Sequence, residues 1–144
     1  MYKRFLLSHK YTGVPVDELA TMLPALKNAL LRYAEDVFCS YEHLAWMEQQ
    51  NRTAEQNYKR CLEEQECCDA VVGFLQYPEA SRWMEQELLL AKERWQPYFL
   101  LQHTIQPEPD FFSIYKEAAT GNMAYSSFEV LLRQLEEQPE FFVR

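Results

Sequence analysis

The sequence predicts an α/β domain in which a parallel sheet lies between two layers of helices. Two observations carry this prediction. Short apolar runs of strand length alternate along the whole chain with stretches whose apolar residues recur at helical spacing. The clearest of the runs, "DAVVGFLQY" (Asp69 to Tyr77), is apolar at nearly every position, as expected of a strand covered on both faces. Strands and helices that alternate in this way build a doubly wound parallel sheet of about five strands with helices on both faces. The 144 residues form one predicted domain, 1–144, long enough to bury a core.

The elements follow in order. "YKRFLLSH" (Tyr2 to His9) is the first strand. Leu19, Met22, Leu23, Leu26, Leu30 and Tyr33 share one face of a helix over Val16 to Ala34, with a kink or break expected at Pro24. "DVFCSY" (Asp36 to Tyr41) is the second strand, and "EHLAWMEQQNR" a loop with a short helical turn. Thr53 and Gln56 have the spacing of a capping box, which opens a helix running to Cys67. The third strand is the run from Asp69, and Ser81 to Trp95 is the next helix. "PYFLLQH" (Pro97 to His103) is the fourth strand, "QPEPD" a loop, and "FFSIYKEAAT" a short helix. Gly121 and Asn122 suggest a turn before a short last strand, "MAYSS", and Ser126 or Ser127 caps the closing helix "FEVLLRQLEEQ".

Composition narrows the function. Aromatic residues make up 15% of the chain and hydrophobic residues 48%, a composition that packs rather than stays disordered. Three glycines leave little material for a glycine-rich phosphate loop, and no G-x-S-x-G serine elbow occurs. A net charge of −8 argues against a nucleic acid polymer as partner, while a small phosphorylated ligand needs only a few local donors. No run approaches the ~20 apolar residues of a membrane span, so no membrane association is expected. Cys39, Cys61, Cys67 and Cys68 lack paired metal-ligand spacing and suit reduced thiols in a cytoplasmic protein. Neither a metal nor another cofactor is expected.

In such a sheet, ligands bind at the carboxyl ends of the strands. The candidate segments are therefore "SHKYTG", "CSYEH", "QYPEASRW" and "QHTIQPEPD". One residue in the helix after the third strand breaks its pattern. Trp83, Met84, Leu88, Leu90, Ala91 and Trp95 form a broad apolar arc, and Glu87 lies near its middle. A carboxylate on a burying face needs a partner or a purpose. Arg82 or Arg94 could pair with it, or it could serve as a nucleophile or base with a shifted pKa. Ser81 is an N-cap that could also meet a ligand oxygen at the helix start. His9, Lys10, Tyr11 and Thr12 could clamp a phosphate or sugar, and His43 and His103 also lie near strand ends.

These residues together resemble the nucleoside 2-deoxyribosyltransferases and the related 2′-deoxynucleoside 5′-phosphate N-hydrolases. The resemblance rests on "FLLSHKYTG", on "CDAVVGFL" with Asp69 opening the strand, on Ser81-Arg82-Trp83-Met84-Glu85-Gln86-Glu87 followed by Ala91, and on "PYFLL" and "SSFEVLLRQL". It implies a small flavodoxin-like (Rossmann-like) fold and cleavage or transfer at the N-glycosidic bond of a nucleoside or its 5′-monophosphate. It further implies that Glu87 is the catalytic nucleophile, and that Ser8, His9, Tyr11, Ser81, Trp83 and Met84 bind substrate. The partner it implies is a small-molecule nucleoside or nucleotide, and the assembly a homo-oligomer. Two positions depart from the family. Trp83 stands where the family has Gly, and Cys61 stands where it commonly has an acidic residue acting on the leaving base, so that Glu63 or Asn57 would have to substitute. A catalytically silent nucleotide-binding or scaffolding domain on the same fold is the alternative, and an interaction module using "PEFFVR" is a third.

Overall fold

The computed structural model describes residues 1–42, 50–79, 81–105 and 112–143. Its strands are β1 (Tyr2–His9), β2 (Ala34–Cys39), β3 (Ala70–Leu75), β4 (Tyr98–His103) and β5 (Gly121–Tyr125). Between and after them come α1 (Val16–Leu30), α2 (Ala54–Glu66), α3 (Arg82–Glu93), α4 (Phe112–Lys116) and α5 (Phe128–Glu137), then a 3₁₀ turn over Pro139–Phe142. All neighbouring strands pair in parallel, in the order β2-β1-β3-β4-β5. This is the flavodoxin-like, doubly wound arrangement, and its winding reverses between β1 and β3.

Strand alternation divides the core between the two faces. Phe5, Leu7, Val72, Phe74, Phe99 and Leu101 point to the layer of α1 and α5, where Leu19, Leu23, Leu26, Leu131 and Leu135 meet them. Leu6, Val71, Leu75 and Leu100 point the other way, to Cys61 on α2, to Met84, Leu88 and Ala91 on α3, and to Tyr115 on α4. The two layers are why the strands read as nearly continuous apolar runs.

Several boundaries differ from the expectation, each for a local reason. The first helix ends at Leu30, and the chain turns so that Ala34 can pair with Tyr2 at the start of β2. β2 then ends at Cys39 beside Leu7, and Tyr41 belongs to a helical turn. Pro24 does not break α1, because it lies on the exposed side, where the carbonyl it leaves unpaired can face water. β3 spans only Ala70–Leu75, and α4 stops at Lys116. Gly121 and Asn122 lie in β5, not in a turn. A Cβ on Gly121 would come within 3.0 Å of a Phe141 ring carbon and 3.1 Å of one on Phe99, so that glycine serves close packing. The Thr53–Gln56 capping box forms as expected, and Ser127 rather than Ser126 caps α5. The loops expected around residues 43–49 and 106–110 lie outside the described residues.

The C-terminal aromatics close the fold. The Phe142 ring packs at 4.8 Å from Tyr33, 4.9 Å from Phe99 and 5.3 Å from Phe5, between ring centroids, and Tyr2 donates a hydrogen bond to its carbonyl at 3.0 Å. Within "PEFFVR", Phe142 is therefore core material and Phe141 packs partly against it, while Pro139, Glu140 and Val143 are exposed. Deleting a buried ring costs roughly 3 to 5 kcal/mol. Phe142→Ala should accordingly lower the unfolding free energy read from urea denaturation by an amount in that range, and an unchanged free energy would refute its core role.

Candidate active site

The site is built where the sheet reverses. Ser8, near the end of β1, shares the α3 face with Leu6 and stands in register with Gly73 on β3. A Cβ on Gly73 would meet Leu100 Cδ2 at 3.1 Å and Leu88 Cδ2 at 3.7 Å, so the bare backbone lets α3 settle close to the strands. Glu87, next to Leu88 on that helix, comes within reach of β1. The Ser8 hydroxyl donates to Glu87 Oε1 at 2.8 Å. Below them, Gln65 of α2 donates to the Glu87 carbonyl at 2.8 Å and so holds the helix backbone in place.

Glu87 is only 6% exposed, and among the described residues it forms no ion pair. Arg94, one candidate partner, pairs instead with Glu66 at 3.0 Å. Burial pushes the Glu87 carboxyl up to about 7, and the Ser8 hydrogen bond only partly offsets this. Its charge in turn helps hold the Tyr58 phenol and the Cys61 thiol above their ordinary values, although burial is the larger cause for both. Cys61, Tyr58 and Glu87 are therefore electrostatic neighbours across the α2–α3 seam.

Above this carboxylate, the start of α3 and the loop after β1 face each other. Ser81 caps the helix by accepting from the Met84 N–H at 3.4 Å. His9, Lys10, Tyr11 and Thr12 face Ser81, Arg82 and Trp83 across a cleft of about 280 Å³. Lys10 and Arg82 bring two cations to one helix N-terminus, a combination that favours an anion even on an acidic protein. His9 itself is buried and neutral. Its Nδ1–H donates to the Lys10 carbonyl at 3.2 Å, and Nε2 accepts from the Ser40 hydroxyl at 3.0 Å. Desolvation lowers it to about 4, so in neutral solution it positions the loop and does not add charge.

The other predicted residues are distributed as follows. Trp83 lines the cleft and stacks on Tyr58, with ring centroids 5.7 Å apart. Met84 is buried among the apolar residues under α3 and is not among those lining the cleft. Asp69, which opens the third strand, lies at the opposite end of the sheet and accepts from the Lys3 N–H at 2.7 Å. His103 stacks on Tyr125 on the other face and binds the Ser126 carbonyl at 3.1 Å, while His43 lies outside the described residues. Glu63 is exposed, whereas Asn57 is buried on the Cys61 side of α2. Ser40 and Tyr58 were not singled out from sequence, because their partners lie far along the chain. Among the described residues no three His, Cys, Asp or Glu side chains cluster as metal ligands, and no helix is long and apolar enough to cross a membrane.

The raised carboxyl has a consequence for stability. Below pH 4.5 the Glu87 carboxyl is protonated in both folded and unfolded chains, and its burial costs little. Between 4.5 and about 7 the unfolded chain ionises first, so stability falls as pH rises and levels off above. Glu87→Gln should therefore gain little stability at pH 4.5 and up to about 3 kcal/mol at pH 8. Denaturation of both proteins across that range checks it, and a gain independent of pH would contradict a buried, unpaired carboxylate.

No family model matches the chain, and no curated protein matches it in sequence. Solved structures do. A CMP N-glycosidase, BcmB, from Clostridium botulinum superposes with a TM-score of 0.67 at 15% identity, over 94% of this chain and 98% of that one. A conserved protein from Enterococcus faecalis V583 superposes with a TM-score of 0.61 at 11% identity, over 96% and 99%. Full-length superposition at such low identity makes this a divergent sequence on the fold of that glycosidase.

Proposed function

We propose that the protein cleaves the N-glycosidic bond of a nucleoside 5′-monophosphate, with Glu87 as nucleophile. The observation that carries this reading is the carboxylate itself, buried without an ion pair among the described residues and aimed across the sheet's reversal point by the Ser8 hydroxyl. Buried structural carboxylates are ordinarily paired with an Arg or Lys. A nucleophile instead needs orientation and a water-poor surround. The similarity in fold to an enzyme described as a CMP N-glycosidase supports the same class of chemistry.

A Glu87 oxygen attacks the anomeric carbon as the C–N bond breaks, and the bonding pair leaves with the base, which takes up a proton. The glycosyl ester that remains is opened by water, releasing the sugar phosphate and restoring the carboxylate. The negative carboxylate stabilises the positive charge that develops on the sugar ring before the bond closes. Lys10, Arg82 and the N-terminus of α3 suit the 5′-phosphate in the cleft above, which favours nucleotides over nucleosides. Transfer to a second base in place of water would use the same ester.

One observation favours a second reading, a nucleotide-binding domain without turnover: Trp83, stacked on Tyr58, lines both open clefts, and Glu87 lines neither. Chromatography of the purified protein incubated with nucleosides and their monophosphates separates the two. The glycosidase reading expects base release from monophosphates, at least 10³-fold lower with Glu87→Ala. It also expects a rate that falls as pH drops through about 7, where Glu87 takes up its proton. Ligand-induced stabilisation with no free base would favour the silent domain, and undiminished release by Glu87→Ala would exclude Glu87 as nucleophile.

A further inference from the structure

Trp83 stands one helical turn before Glu87 on α3, so it is one turn nearer the C-terminal edge of the sheet than the carboxylate. The residue borders two clefts at once. On one side is the 280 Å³ cleft of the β1 loop; on the other, Glu55, Tyr58, Lys59 and Arg82 join it around a cleft of about 470 Å³. Glu87 lines neither. The Tyr58 ring lies against the indole at 28°, a contact that ties α2 to α3 beside these clefts.

Several polar groups gather near Glu87 at the margin of the apolar cluster of α2 and α3. Ser8 and Glu87 share their hydrogen bond, and Cys61 of α2 lies close enough for the carboxylate charge to bear on its thiol. Asn57 is one turn above Cys61 on the same side of α2 and only 7% exposed. Its Oδ1 is buried and has no hydrogen-bond partner among the described residues. A buried amide oxygen without a donor is costly, and it marks a place where a ligand N–H or O–H would restore the missing bond.

We propose that the Trp83–Tyr58 pair is an autoinhibitory cover. It closes a chamber bounded by Ser8, Asn57, Cys61 and Glu87, and it swings aside to join the two clefts and admit the nucleotide. A single stack of two rings is a weak lock, so binding at the phosphate cleft can open it. The inference rests on the proposed reaction for the identity of what enters, but access to the chamber is measurable without turnover.

Cys61 reports that access. The test labels the full-length protein with N-ethylmaleimide at one pH and maps the adducts by mass spectrometry, in a Cys67→Ser background that removes the exposed thiol. Trp83→Ala should raise the labelling rate of Cys61 at least tenfold, and Trp83→Phe, which keeps a ring against Tyr58, should stay near wild type. Cys39, in the core on the other face of the sheet, and Cys68, past the end of α2, should not change. An unchanged Cys61 would overturn the cover. So would equal acceleration at all three thiols, since Trp83 would then be holding the fold rather than the chamber. If Cys61 alone opens and none of the proteins releases base, the cover stands and the glycosidase reading fails.

Discussion

The hydrogen bond from Ser8 to Glu87 is the contact on which the rest of the site depends. It spans the one place in the sheet where strand order reverses, and it needs three things at once. The β1 register must turn Ser8 toward α3, Gly73 must leave room for the helix, and Gln65 must fix the helix backbone at Glu87. All three are met by residues with no charge. The carboxylate is therefore oriented but not neutralised, and burial keeps its proton near neutral pH. A fold under selection for stability alone would gain by replacing it. Its burial there is a cost in stability that the proposed reaction would explain.

Charge is arranged around this point in an uneven way. The chain carries a net −8, yet the cleft above Glu87 gathers Lys10, Arg82 and a helix N-terminus. His9, which could have added a third cation, is held neutral between Ser40 and the Lys10 carbonyl and shapes the loop instead. Positive charge is thus concentrated locally. That matches a single phosphate better than a polymer backbone.

Much of this was legible in the sequence. Alternating apolar runs and helical periodicity gave the layered sheet, and β1, the α2 capping box and the Ser81 cap were placed correctly. Glu87 stood out because a helical arc has an angle at every position, so one carboxylate in its middle is visible. Where β2 begins was not, since a pairing register with Tyr2 decides it. Gly121 was misread as a turn because a glycine needed for ring packing has the same letter as one needed for a bend. The Ser8 partner of Glu87, the Ser40 partner of His9 and the Tyr58 partner of Trp83 come from contacts between distant segments, which periodicity does not encode.

The central claim is that Glu87 forms the bond to the sugar, and trapping that bond tests it most directly. The protein is mixed with nucleoside monophosphates, quenched in acid within the first turnover, digested, and examined by mass spectrometry. The account predicts a sugar-phosphate mass added to the peptide that carries Glu87, localised to that side chain by fragmentation and absent from Glu87→Gln. Base release with no adduct at Glu87, or with the adduct on another residue, would contradict it.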